Sequence, residues 1–186
     1  MDHNDIEKSE ELKILLLTVS ELMFAIVAIL ALRFLDHPIY FSTTKTVIFI
    51  STTIGGSLFI LTYFLSRKFD FIKDMGNQIQ SFVFKDIGAL EIFYLAMLSS
   101  FCEEIFFRGL LQILFDVPFA ALVFGLFHMS EWTNKGMANA MYLAFLGLCF
   151  GLLYNYTNTI TAPIIAHFSV KFCIGIANYW LDPNKL

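Results

Sequence analysis

The sequence predicts an all-α integral membrane protein, a bundle of about six transmembrane helices, and three observations carry that prediction. First, 58% of the 186 residues are apolar and 17% aromatic, only 15% are charged, and the mean hydropathy is +0.70. A water-soluble domain keeps roughly a quarter of its residues charged, so this composition excludes an ordinary soluble domain as well as a disordered or nucleic-acid-binding chain. Second, apolar runs bounded by charges recur near 12–34, 43–66, 87–114, 117–130, 136–156 and 159–181, most of them close to the roughly 20 residues that cross the hydrocarbon as helix. Third, one polar interval of any length separates these runs, RKFDFIKDMGNQIQSFVFKD at 67–86, which leaves no room for a second domain.

Residues 1–11 (MDHNDIEKSEE) form a polar N-terminal tail too acidic for the n-region of a cleavable signal, so the first run reads as a retained span. Residues 12–186 then form a single transmembrane domain. In the 67–86 interval Phe69, Ile72, Ile79, Phe82 and Val83 recur at helical spacing, which predicts an amphipathic segment on the membrane surface. The fourth run, VPFAALVFGLFHMS, is short for a full span and either stops part-way or continues through Glu131 and Trp132.

With six spans, Lys8, Lys13, Arg67, Lys68, Lys73, Lys85, Lys135 and Lys185 share one side and Arg33 and Lys45 the other. The basic side is cytoplasmic by the positive-inside rule, which puts both termini in the cytoplasm of a multi-pass protein of the cell membrane. Its expected partners are membrane lipids and a membrane-associated protein or peptide, with no nucleic acid.

Ionisable residues inside spans are costly and mark function. Here they concentrate. The third run carries SSFCEEIFFRGLLQ, with Glu103, Glu104 and Arg108; the fourth ends in FGLFH, with Phe124 and His128; the sixth carries AHFSVK, with His167 and Lys171. On a helix Glu104 and Arg108 share a face and can pair, whereas Glu103 is turned about 100° away and is free for chemistry. Glu103 and His128 each lie about eleven residues, roughly 16 Å, from the outer ends of their spans, and His167 about eight, roughly 12 Å. Three helices thus bring a carboxylate and two imidazoles to similar heights.

Glu103-Glu104-x-x-x-Arg108, then Phe124-x-x-x-His128, then a histidine in a late helix, resembles the three-motif signature of the CPBP family, the CAAX proteases and bacteriocin-processing enzymes also called the Abi family. The resemblance covers about 85–181. It implies an intramembrane endopeptidase in which Glu103 and His128 activate the attacking water, Glu104 and Arg108 support the site, and His167 helps stabilise the oxyanion. Lys171 departs from the family, which usually has Asn there. An ammonium can donate to an oxyanion or pair with Glu103 or Glu104.

The expectation is catalysis without a cofactor. Zinc held by Glu103, His128 and His167 is the alternative, against which an ammonium one turn from a ligand counts. A non-catalytic membrane scaffold or immunity-type protein of the same fold and a small proton- or ion-coupled transporter are the rival classes. Other features read as packing. Cys102, Cys149 and Cys173 are small hydrophobes, and Gly147-Leu-Cys-Phe-Gly151 lets a neighbouring helix approach. Gly55-Gly56 marks a kink or close packing, and Glu21, inside the first run, either meets a polar neighbour or lines a site. Ser99 and Ser100 lack any serine-hydrolase motif around them.

Overall fold

The computed structural model describes residues 3–79, 83, 87–129 and 131–181, and among these there is no strand. Helix α1 runs His3–Phe34, so the polar N-terminal residues from His3 onward continue the first helix. Leu15, Leu16, Met23, Ile26 and Leu30 are exposed along it while Ala25, Ala28 and Leu32 are buried. It is a peripheral helix that presents a broad apolar face to lipid. Asp36, in the left-handed region at φ 52°, closes it, with the His37 amide donating to Leu32 O at 3.0 Å.

Helix α2 (Lys45–Lys68) starts at Thr44, whose hydroxyl accepts from the Val47 amide at 3.2 Å, a conventional N-cap. Helix α3 (Asp70–Ile79) occupies the polar interval. Its Ile72 is buried in a core with Leu58, Tyr142, Leu146, Phe150 and Val170, so the amphipathic segment is packed onto the bundle. Phe82 and Lys85 lie outside the described residues.

The third and fourth runs form one helical stretch with two interruptions. Helix α4 (Ala89–Glu104) passes into a π-helical segment, Ile105–Leu111, and then into α5 (Gln112–Phe127). The sequence reading assumed α geometry throughout; the π segment corrects it and starts directly after Glu104, as such bulges often do beside functional residues. Within α5, Asp116 stands at φ 75°, ψ 169° and reverses the chain. Its carboxylate accepts from the Val117 amide at 2.7 Å, and Pro118 follows in the first turn of the new helix, where its missing N–H costs little. The Phe107 and Phe124 rings, 5.0 Å apart, show that the second piece folds back on the first. That piece ends at Phe127, after roughly 16 Å. The fourth run therefore stops part-way and places His128 at its end, inside the bundle.

Helices α6 (Asn134–Thr157) and α7 (Thr161–Leu181) complete the order, with the Thr133 hydroxyl capping α6 and Asn158, at φ 52°, closing it. Among the described residues five helical units are long and apolar enough to cross a membrane, Ala89–Phe127 being counted as one. The chain is an integral multi-pass membrane protein. The Ser42 amide donates to Thr159 Oγ1 at 2.8 Å and the Ile160 amide to Tyr40 O at 3.0 Å, which fixes two linkers at one end. Lys135 Nζ donates to Asp74 Oδ2 at 2.9 Å at the other.

Small residues set the helix distances. A Cβ on Gly147 would lie 3.3 Å from the Ala121 Cα, and one on Gly151 would collide with Val117 and Gln112. The G-x-x-x-G stripe of α6 is thus filled by α5, within the bundle. Gly55 meets the Ala166 backbone of α7 in the same way, so of the two readings for Gly55-Gly56 close packing holds at Gly55. The three cysteines are free thiols, Cys102 fully buried.

Candidate active site

Glu103 and Glu104 are the last two residues of α4, and they point in different directions as a 100° step requires. Glu104 turns to Arg108, one turn on, with Oε2 3.0 Å from Nε and both side chains wholly buried. Its Oε1 accepts a hydrogen bond from His167 Nδ1 at 2.8 Å. Arg108 Nη1 and Nη2 have no hydrogen-bond partner among the described residues. The guanidinium carbon lies 5.4 Å from the Phe124 ring and 5.9 Å from Phe107, cation–π distances that offset part of the burial cost. Phe124 therefore joins two motifs, because its carbonyl also accepts from His128 Nδ1 at 2.8 Å.

Glu103 faces the other way, into the bundle. Its Oε1 receives Lys171 Nζ at 2.5 Å, and the same ammonium donates to Ser99 Oγ at 3.0 Å. Its Oε2 makes no hydrogen bond among the described residues. Two imidazole nitrogens converge on that oxygen, His128 Nε2 at 3.5 Å and His167 Nε2 at 3.9 Å. The tautomers follow from the Nδ1 partners. A carbonyl and a carboxylate can only accept, so both rings carry a proton on Nδ1 and, when neutral, present a bare Nε2 toward Glu103. His167 is further fixed by stacking on Phe150, with ring centroids 4.7 Å apart. His128, at the open end of α5, is 32% exposed while Glu103 is 4% exposed.

Two cavities meet at these groups. One of about 400 Å³ lies among α2, α3, α6 and α7, with an apolar lining that includes Leu146, Phe150 and Ile174, and it reaches His128, His167 and Lys171. The other, of about 230 Å³, is lined by Leu17, Glu21, Ser99, Glu103, His128 and Lys171. The six residues singled out in the sequence, Glu103, Glu104, Arg108, His128, His167 and Lys171, are thus brought together, and of its two possible carboxylates Lys171 takes Glu103. The sequence reading left Glu21 open, and the structure makes it a cavity-lining residue. Ser99 was dismissed as a nucleophile and is instead a partner of Lys171; its position one turn before Glu103 on the same face is the signal that pointed there. Asn139, buried with an unpartnered Oδ1 at the wall of the larger cavity, carried no signal in the sequence.

Among the described residues no group of three or more His, Cys, Asp or Glu stands where it would hold a metal ion. In the set of Glu103, His128 and His167, the carboxylate is already bound by the ammonium.

A family model described as type II CAAX prenyl endopeptidase Rce1-like matches residues 86–173. An uncharacterised protein of Bacillus subtilis (strain 168), YpbD, is 32% identical over 114 residues, 60% of this chain and 55% of that protein. The chain thus spans little more than half the length of this relative. No solved structure matches it. Apart from Glu21, every charged or imidazole side chain around the two cavities falls inside the stretch the family model covers. Over residues 86–173 the chain is similar to the Rce1-like family of type II CAAX prenyl endopeptidases.

Proposed function

We propose that this protein is an intramembrane endopeptidase that cleaves a membrane-associated protein or peptide with a glutamate-activated water and no cofactor. The observation that carries this reading is the unpartnered Oε2 of Glu103, buried in an apolar bundle with two bare imidazole nitrogens turned toward it. A water held between Glu103 Oε2 and His128 Nε2 gives its proton to the carboxylate while its oxygen adds to the scissile carbonyl carbon. The carbonyl oxygen becomes an oxyanion beside His167 and Lys171. Lys171 donates to it directly, while Glu104 holds the neutral His167 ring in place through its Nδ1 proton. When the C–N bond breaks, Glu103 returns the proton to the leaving nitrogen. The larger cavity takes the apolar part of the substrate, whether side chains or a lipid tail.

We place the end of the bundle that carries Arg67, Lys68, Lys73 and Lys135 in the cytoplasm, from the basic excess there, and the protein in the cell membrane. The ammonium on Glu103 supports a second reading, a scaffold of the same fold that has lost turnover. Incubating the purified protein in lipid nanodiscs with membrane-anchored peptides, beside a Glu103→Gln control, separates the two. Cleavage by the parent and none by the variant is expected; no cleavage by the parent, or equal cleavage by both, overturns the protease reading. The same preparation in liposomes tests the transporter reading, for which proton flux would be the signature.

A further inference from the structure

Asn139 is a buried polar group that the mechanism above does not use. It stands on α6, is only 6% exposed, and its Oδ1 has no hydrogen-bond partner among the described residues. A buried amide oxygen left unpaired costs stability, so it marks a role. Asn139 is part of the wall of two cavities. One is the larger, apolar cavity that reaches His128, His167 and Lys171. The other, of about 340 Å³, is polar, with Asp74 and Asn77 from α3, Glu131 from the linker between α5 and α6, and Lys135 and Asn139 from α6 in its wall.

The packing of α5 on α6 sets how far Asn139 is from the chemistry. A Cβ on Gly125 would meet Ala140 and Ala144, and one on Gly147 would meet Ala121, so the two helices run antiparallel. His128, three residues beyond Gly125, therefore leaves α5 beside the turn of α6 that carries Asn139. The His128 ring is tied back to the Phe124 carbonyl, which sets its Nε2 one to two turns along α6 from Asn139, roughly 5–10 Å. An extended peptide covers that distance in about two or three residues.

The polar cavity has a charge of its own. Asp74, Asp70 and Glu131 all act on Lys135. Asp74 pairs with it at 2.9 Å, and Glu131 makes no ion pair among the described residues. A Cβ on Gly136 would collide with the Glu131 carbonyl, so the linker is pressed onto the first turn of α6 and Glu131 is held beside the cavity. Three carboxylates around one ammonium favour a further cation. Arg67, Lys68 and Lys73, at the same end of the bundle, are not in its wall.

We propose that Asn139 and Glu131 form a substrate subsite that selects a basic residue two or three positions from the scissile bond. Asn139 Oδ1 accepts a backbone N–H of the peptide as it passes from the polar cavity into the apolar one, and Glu131 pairs with the cationic side chain. A peptide backbone that leaves water must find acceptors for its N–H groups, and the free amide oxygen supplies one where the two cavities meet. The inference rests on the endopeptidase reading and names its substrate class, a membrane-associated peptide whose polar flank is basic where it joins the apolar part.

Binding tests it first, since binding needs no turnover. Glu103→Gln in lipid nanodiscs is titrated with fluorescent leucine-rich peptides that carry lysine, glutamine or glutamate where a polar flank joins the apolar part. The lysine peptide should bind roughly fivefold tighter than the glutamate peptide, and adding Glu131→Gln should remove most of that preference. Adding Asn139→Leu should weaken all three by roughly fivefold without lowering the melting temperature, because leucine leaves no acceptor unpaired. N-methylation of the flank, one position at a time, should weaken binding at one position and do nothing there once Asn139→Leu is present. Equal binding of the three peptides, a preference that survives Glu131→Gln, or a melting temperature that falls with Asn139→Leu overturns the proposal. If Asn139→Leu does not fold, the N-methyl series decides, and a series with no sensitive position overturns it. With a cleaved peptide the same preferences should appear in KM. Selective binding by a parent that cleaves nothing would sink the protease reading and leave the subsite standing, whereas cleavage without preference would sink the subsite alone.

Discussion

Replacing Glu104 by Gln leaves the volume of the side chain unchanged and removes one charge from a pair that is wholly buried. At the observed 3.0 Å separation, Coulomb's law with an effective dielectric near 20 gives about 5–6 kcal/mol for the lost attraction. Breaking one side of a buried pair typically costs about 3–5 kcal/mol, because the remaining ion keeps its desolvation cost. The rings of Phe124 and Phe107 still face the guanidinium and retain about 0.5–2 kcal/mol of that loss. The new amide also has a conflict. Its oxygen can accept from Arg108 or from His167 Nδ1, and its N–H₂ then faces the other donor. A net loss of about 3–4 kcal/mol follows, which for a chain of this size lowers the melting temperature by roughly 10 °C. Thermal unfolding in detergent, read by intrinsic fluorescence, measures it, with Glu104→Gln/Arg108→Met as the companion that removes the orphaned cation and recovers most of the stability. Glu104→Gln melting within about two degrees of the parent would falsify the reading of this pair as the clamp that holds π segment and α7 together.

Further outcomes follow from the same coordinates. If catalysis is metal-free, exhaustive chelation leaves cleavage unchanged and elemental analysis finds substoichiometric zinc; activity lost to a chelator and restored by zinc alone would recast Glu103, His128 and His167 as ligands. Lys171→Asn should keep cleavage within about tenfold because an amide still donates to the oxyanion, whereas Lys171→Met should lower kcat by on the order of a hundredfold. A parent that is nearly inactive and gains activity on Lys171→Asn would identify the lysine as a lock on Glu103. At the chain reversal, Asp116→Gly should stay within about 1 kcal/mol of the parent, since glycine adopts the observed φ freely. Asp116→Val should cost about 1–3 kcal/mol, and equal unfolding midpoints for the two would refute the strain.

Composition and run length settled the membrane class and the boundaries of most helices, since apolar runs of this length have few alternatives to spanning a bilayer. Spacing within one helix was equally legible. The four-residue step from Glu104 to Arg108 and the rotation of Glu103 away from both are properties of a single helix, and the structure keeps them. The reversal at Asp116 left a trace too, in the Pro118 that follows it. What the sequence left undetermined is whatever depends on how helices far apart in the chain are turned about their axes. Lys171 had two carboxylates to choose from, and only the rotation of α7 against α4 gives it Glu103 while His167, one turn earlier, reaches Glu104. Glu21 lies 82 residues before Glu103 in the chain, and no local pattern states that α1 presents it to the same cavity. The π segment after Glu104 has no local signature either, because its wide turn is held by what packs around it rather than by the propensities of its own residues. Local periodicity writes the helices into the sequence, whereas the site is assembled by side-chain packing between them, and that packing is a property of the bundle as a whole.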